Sequence, residues 1–489
     1  MPPWGHDFLV FNQYRRTAVL TKTYFRNQIK TICGSVIFGC LTALATPVMA
    51  ANEAMLGLID IMEKKGTLTK DEAELLRAAA KADVEKTEAV ASEAKEAAKK
   101  EVEKVTKDLP KIETAGKLKV SSGDGDFSWG LIGRIHADYN LVNSDINKIG
   151  NDAFIRRARL GMEGTMWKHW IWKLEMDFAE DALSTKDAFI GYKDSNWWLK
   201  AGQSHIPFGL ATISSSKYML FIERPLLADG PLQPSRQLGV AGFMHDPNGE
   251  RWTLHTGIFG GAVGSGGAGV SDEFNVAARG TFVPFMQDKT HLASIGAGVW
   301  YRNALDKSTR IRQRPGIFRS GNSSFQDANF GTGGVDTLGF NAEGLIVYGP
   351  FNLQAEYSRL DVDTSAGDAD LDGYYAEAGW FLTGESMNYD AGKGQFGSVK
   401  PKGIVGKGGI GAWQVAARYD VLDLNDAVDV LGVGAGGEQR SFSAGLNWHV
   451  NNNMRFMLDY INVLEMDRPG NGFDNDEPHG MTFRGEVFW

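Results

Sequence analysis

The chain has only two cysteines, Cys33 and Cys40, and both fall in one apolar stretch, TICGSVIFGCLTALATPVMA at residues 31–50. Basic Arg26 and Lys30 precede it and small residues close it at Ala50, the three-part pattern of a secretory signal peptide. Its cleavage would leave no cysteine, which excludes disulfide and thiol chemistry. The segment before Arg26 is longer than such a signal needs, so the natural start is expected downstream of Met1. The IFGC tetrad is a poor lipoprotein box because Phe38 fits badly and the apolar run continues past Cys40. The run is also too short for a retained membrane helix.

Other absences narrow the field further. No other stretch approaches 18 apolar residues, so a membrane location could not rest on helices. There is no basic excess: the formal charge of −9 argues against nucleic acid as a partner. The nine histidines form no H-E-x-x-H, and no serine sits in G-x-S-x-G, so neither a metal centre nor a hydrolase is expected and no cofactor is called for. Prolines number 15 against 59 glycines, which suits a β-rich chain with many tight turns. At 43% hydrophobic and 23% charged, the chain is expected to fold rather than stay disordered.

Residues 51–110 contain no aromatic and are rich in Ala, Glu and Lys. Leu56, Ile59 and Met62 form a short apolar stripe ending at Gly66, and Thr69 with Glu72 reads as a capping box opening a longer helix that Pro110 stops. The thin apolar face of that helix (Leu75, Leu76, Ala79, Val90, Ala97, Val102, Val105) suits either a coiled-coil seam, interrupted by Asp83 and Lys104, or a solvated spacer.

From Phe127 the pattern has a period of two. FSWGLIGRIHADYN places Phe127, Trp129, Leu131, Ile135, Ala137 and Tyr139 on one face and Ser128, Arg134, His136, Asp138 and Asn140 on the other. Sixteen such runs follow, starting near 127, 151, 168, 184, 196, 235, 250, 272, 290, 336, 351, 371, 409, 439, 453 and 479. Many approach ten residues, the length of a tilted strand crossing a bilayer, whereas strands of a soluble sandwich are shorter. Aromatics sit near the ends of the apolar faces, as in Trp129/Tyr139 and Trp413/Tyr419. The expected fold is all-β and transmembrane: a 16-stranded antiparallel barrel over 116–489, preceded by a helical segment over 51–112 and by the extension and signal at 1–50.

Short connections (193–196, 245–249, 348–351, 450–453) follow even-numbered strands and long ones (206–234, 261–271, 305–335, 361–371, 424–438, 465–478) follow odd-numbered ones, which puts the short turns and both termini in the periplasm. Residues 384–408 break the rule, being long after an even strand. The last run, MTFRGEVFW, presents Phe483, Val487 and Trp489 to lipid and Thr482, Arg484 and Glu486 to a wet interior. It is expected to pair with the first strand, because hydrocarbon cannot satisfy an open edge.

FIRRARLGMEG (154–164), GQSHIPFGL (202–210), FIERP (221–225), RQLGVAG (236–242), GPFNLQAEYSRL (349–360), GYYAEAGWFLTGE (373–385) and GAWQVAARYDVLDLND (411–426), in that order, make residues 116–489 resemble the phosphate-selective porin O and P family of Gram-negative outer membranes. The resemblance implies a homotrimeric, water-filled channel passing phosphate or other small anions. It also implies a terminal aromatic strand read by the barrel-assembly machinery, here ending in Trp489 where Phe is commoner. The loop after the fifth strand, about 206–234, would fold inward to narrow the pore. Lys217 and Arg224 of that loop, with Arg156, Arg157 and Arg159 of RRAR and with Lys173, resemble its anion-binding residues.

Strand phase places Arg134, Arg157, Arg159, Lys173, Arg279, Arg302, Arg418, Arg455 and Arg484 inward. Asp138, Glu163, Glu175, Asp177, Glu356, Glu377, Asp420, Asp459 and Glu486 share those faces. Nine against nine is equally a braced wall or an anion path, so a non-selective general porin stays open beside an anion-preferring one. The loop YRNALDKSTRIRQRPGIFRS (301–320) sets Arg302, Lys307, Arg310, Arg312, Arg314 and Arg319 against Asp306. It would either enrich anions at the mouth or meet lipopolysaccharide phosphates. A barrel anchoring a periplasmic coiled-coil tether of the envelope is the further alternative.

Overall fold

The computed structural model describes residues 54–106, 109–179, 183–249, 251–261, 273–304, 307–318, 324–332 and 334–489. The signal stretch at 1–50, most of the 261–271 loop, Asp306, Arg319 and the side chains of Val102, Lys104 and Val105 lie outside the described residues. The chain divides into two compact units, Met1–Pro110 and Lys111–Trp489.

In the first unit, helical residues 54–64 precede α1 (Lys70–Thr106). The capping box forms: the Thr69 N–H donates to Glu72 Oε2 at 2.9 Å, and the Glu72 N–H donates back to Thr69 Oγ1 at 3.4 Å. The first of these bonds holds the Glu72 carboxyl below its ordinary range. Arg77 clasps Asp60 and Glu63 at 2.5 and 2.6 Å, and Ile59, Ala73 and Ala80 are buried. Leu75 and Val90 stay exposed, at 74% and 59%.

The second unit is a closed antiparallel barrel whose strands are β1 (Ser128–Asn143), β2 (Asp152–Met166), β3 (Trp170–Asp177), β4 (Ser184–Lys193), β5 (Trp197–His205), β6 (Arg236–His245), β7 (Trp252–Phe259), β8 (Phe274–Asp288), β9 (His291–Asn303), β10 (Asp336–Tyr348), β11 (Phe351–Thr364), β12 (Gly367–Phe381), β13 (Ala412–Asp423), β14 (Glu438–Asn451), β15 (Met454–Asp467) and β16 (His479–Phe488). Each pairs with its sequence neighbour, and β16 returns to β1 from His479↔Asn143 to Phe488↔Arg134. Short strands at Lys111–Glu113 and Lys119–Ser121 extend the sheet beside the start of β1.

The usual burial order is inverted, as a bilayer solvent requires. Ile135, Leu160, Leu174, Ile190, Leu199 and Ile295 are exposed on the outer face, while Asp138, Arg279, Glu356, Arg418 and Arg484 are buried within. Outward aromatics gather at both rims: Trp129, Trp170, Trp197, Tyr348 and Trp380 at the short-turn end, and Tyr139, Phe340, Tyr357, Tyr374 and Tyr419 at the other. No helix among the described residues is long and apolar enough to cross a membrane; the strands do so.

At the seam, Gly133 and Trp489 exchange backbone hydrogen bonds of 3.2 and 3.1 Å. The indole lies directly on the glycine, where a Cβ would come within 2.2 Å of the ring and 2.9 Å of the Arg159 carbonyl. Overpacking such a site costs about 1–3 kcal/mol. Gly133→Leu should therefore lose most of the heat-modifiable folded band on unboiled gels, and adding Trp489→Ala should restore part of it. An unchanged band in Gly133→Leu would contradict this seam.

Two connections differ from expectation. Residues 361–371 are not a loop: β11 and β12 run on to Thr364↔Gly367 and leave a two-residue turn. The aspartates of that stretch suggest a loop, yet they keep period two, with Leu360, Val362, Ala369 and Leu371 buried between them. The long connection 382–411 folds up inside the barrel at the short-turn end. Its Met387, Tyr389, Phe396 and Val399 pack against inward Val283, Leu292, Leu345 and Val347, and Arg279 donates to the Gly394 carbonyl at 2.7 Å.

Candidate constriction site

The connection from β5 to β6, residues 206–235, is too apolar to lie in water. Ile206, Phe208, Leu220, Phe221, Ile222, Leu227 and Leu232 are all at most 2% exposed because the loop crosses the lumen. Its backbone groups need partners there, and charged side chains of the barrel wall supply them. Glu356 accepts from the N–H groups of Leu210 and Ala211 (2.6 and 3.0 Å), which open the short helix α2 (Leu210–Ile213). Asp459 accepts from Ile222 (2.6 Å) and Asp420 from Leu226 (3.2 Å). Arg455 donates to the Met219 carbonyl (2.7 Å), Arg484 to Ile222 (2.7 Å) and Arg418 to Glu223 (2.9 Å). The loop is bolted across the pore by anion-to-N–H and cation-to-C=O bonds. Inward glycines make room for it: Phe208 lies on Gly298 and Gly339, Phe221 on Gly445, and Leu227 and Leu232 on Gly373.

The connection from β9 to β10 also enters the lumen. Within it, Thr309–Gln313 pairs with Gln326–Gly331. Gln326 donates to Leu422 and Gly437 carbonyls (2.8 and 2.7 Å), Arg468 to Ser324 and Phe325 (2.8 and 2.9 Å), and Gln313 to Leu226 of the constriction loop (2.5 Å).

Where the two loops meet β2, a cavity of about 340 Å³ opens. Six guanidiniums line it (Arg156, Arg157, Arg224, Arg310, Arg312 and Arg314) against two carboxylates, Glu223 and Asp229. Arg156 and Arg157 both reach it because β2 is bulged: His136 pairs with Arg157 and Ala137 with Ile155, which leaves Arg156 as the extra residue. Arg156 grips Glu223 through two bonds of 2.8 and 2.9 Å, and Arg310 pairs with Asp327. Arg224 donates to the carbonyls of Ala211 and Ser214 and lies 3.9 Å from Asp229. Among the described residues, neither Arg157 nor Arg312 has a carboxylate at ion-pair distance; Arg157 Nη1 lies 3.5 Å from His136 Nδ1. Clustered guanidiniums in a partly dry cavity are suited to replacing the water stripped from an anion.

A family model described as phosphate-selective porin O and P matches residues 130–488. The chain belongs to that family. This porin is 30% identical to Porin O of Pseudomonas aeruginosa over 410 residues, which span 76% of this chain and 91% of that one. It is also 30% identical over 361 residues to an uncharacterized protein of Caulobacter vibrioides, covering 71% and 70% of the two chains. Among solved structures, outer-membrane expressed OmpT of Vibrio cholerae aligns with a TM-score of 0.48 at 11% identity, over 78% of this chain and 100% of that one. As a member of the porin O and P family, the protein is a non-enzymatic channel of the Gram-negative outer membrane.

The porin's sequence-expected site residues separate into two groups, with Lys217 in neither. Arg156, Arg157 and Arg224 share the cavity with Arg310, Arg312 and Arg314, so the basic stretch expected at the rim turns inward to the constriction. The other group is committed to partners. Arg159 pairs with Asp177 (2.8 Å), Lys173 with Asp187 (2.7 Å), Arg134 with Glu175 (3.1 Å), Arg302 with Glu273 (2.9 Å), Arg455 with Glu486 (2.8 Å), and Arg279 with Glu343. Arg418 pairs with Asp420 (3.0 Å) and Arg484 with Asp138 (2.7 Å). Lys217 stands away from the cavity beside Tyr218 and Phe488, 5.8 and 5.5 Å from their ring centres. Glu223, Asp229 and Phe318 belong to the site and were missed, because loop residues carry no strand phase. The inward glycines were the available signal, since glycine inside a strand marks close approach of another backbone.

Proposed function

We propose that this porin is an anion-preferring diffusion channel whose constriction takes phosphate or a similar small oxyanion. What supports the reading is the charge imbalance of the cavity, six guanidiniums against two carboxylates. The wall contributes little, since its cations and anions largely neutralise one another in pairs. The excess comes from the two infolded loops and the β2 bulge. Arginine's planar fork matches phosphate oxygens, and partners at several sites allow entry and release. A homotrimer and the assembly machinery are the further partners that the family resemblance suggests, and lipopolysaccharide phosphates are the alternative partner for the basic stretch 301–320.

The deciding measurement is made on the purified full chain in planar bilayers. A chloride gradient should give an anion-side reversal potential, and millimolar phosphate should reduce the chloride current. Undiminished current in phosphate would leave a general porin. The exposed apolar residues of α1, Leu75 and Val90, keep an envelope-tethering role as a second reading. Deleting residues 51–110 should then weaken the envelope and leave conductance unchanged.

A further inference from the structure

Phe318 occupies an unusual place in the cavity. Its ring lies 3.7 Å from the Arg156 guanidinium and 4.7 Å from that of Arg314, so one ring is clasped by two cations carried on different elements. Phe154 tilts against it at 5.5 Å, and Asn140 Nδ2 donates to its carbonyl at 2.5 Å. Guanidinium faces attract aromatic faces, most strongly where water is excluded. The N–H edges of Arg156 meanwhile stay engaged with Glu223. The cavity of about 340 Å³ also lies within the range of organic-ligand sites, about 300–1,000 Å³, and has room for roughly ten waters. That is more than one small inorganic ion needs.

We propose that the slot between Arg156 and Arg314 is a ring-binding subsite that Phe318 fills in this state, and that anions carrying a planar aromatic ring enter the cavity by exchanging their ring for Phe318. The anionic group would then meet Arg157 and Arg312, which have no carboxylate at ion-pair distance among the described residues. The inference rests on the anion-binding reading above and adds a substrate class to it: aryl oxyanions beside simple ones. No bond is made or broken; the exchange is one stacking partner for another.

The test compares phenylphosphonate with methylphosphonate as blockers of chloride current through the full-length porin, because the two share a headgroup and differ in the ring. Phe318→Ala empties the slot. It should lower the half-blocking concentration of phenylphosphonate about tenfold while that of methylphosphonate moves less than about twofold. Arg314→Lys keeps the charge and removes the planar face; it should weaken block by phenylphosphonate more than block by methylphosphonate, and it serves equally if Phe318→Ala does not fold. Equal shifts for both phosphonates, or no shift for either in these variants, would overturn the ring subsite while leaving the anion site standing. Failure of both phosphonates to block the unaltered channel would remove the anion site and this subsite together.

Discussion

Replacing Arg157 and Arg312 with glutamate together should abolish the anion preference and raise the half-blocking phosphate concentration at least about tenfold. The reasoning is local. Six guanidiniums face two carboxylates in the cavity, and two reversals leave four against four. These two arginines are chosen because the other four have prior commitments: Arg156 to Glu223, Arg310 to Asp327, Arg224 to the carbonyls of its own loop, and Arg314 to the Phe318 ring. Each bond from a charged donor to an anion is worth about 1.5–3 kcal/mol, so losing even one gives the tenfold effect. Arg312 is exposed on its loop, and Arg312→Glu alone should show half the trend without endangering the barrel. A reversal potential identical to that of the unaltered protein in both variants would mean that selectivity is set elsewhere along the pore.

The barrel was almost fully legible in the sequence because one rule governs it. Lipid outside and water inside force period two on every strand, and the largest displacement among the expected strand starts is the twelfth, placed at 371 and found at Gly367. Even there the alternation of Val362, Ala369 and Leu371 with aspartates was present, outweighed by the turn-forming look of the aspartates. Closure was legible for the same reason, since an unpaired edge has no place in hydrocarbon.

The constriction was legible only in pieces. RRAR and the basic stretch of 301–320 were visible as separate features, but their meeting depends on where two loops dock, and docking is a long-range matter that no local period encodes. Strand phase also fails at a bulge: it placed Arg157 inward, where it is found, but gave no account of Arg156. It misjudged in another way as well: an inward arginine could be a ligand or a brace, and Arg418, Arg455 and Arg484 prove to hold loop carbonyls. Loop composition carried the missing clue. A loop as apolar as residues 206–235 must bury itself somewhere, and in a barrel the only dry place apart from lipid is the lumen wall.

Breaking the Asp138–Arg484 pair should have the largest effect on the shape of the pore. Arg484 is fully buried and makes four contacts: two to the Asp138 carboxylate at 2.7 Å, one to Glu223 at 3.1 Å, and one to the Ile222 carbonyl at 2.7 Å. It therefore joins the barrel seam to the constriction loop. Asp138→Ala leaves a guanidinium buried with only half of its counter-charge, a change that costs about 3–5 kcal/mol when a buried partner is removed. The barrel's long ladders can absorb part of that cost; the loop, held by single bonds to the wall, has less to spare. Asp138→Ala should accordingly lower the denaturant midpoint, widen the single-channel conductance and add current noise as residues 206–235 loosen. The double exchange Asp138→Leu with Arg484→Met removes both charges at once and should recover most of the stability. It should still leave the conductance raised, because the Ile222 carbonyl loses its donor. If Asp138→Ala keeps the unaltered midpoint and conductance, the loop is held in place without this pair, and the seam and the constriction are independent.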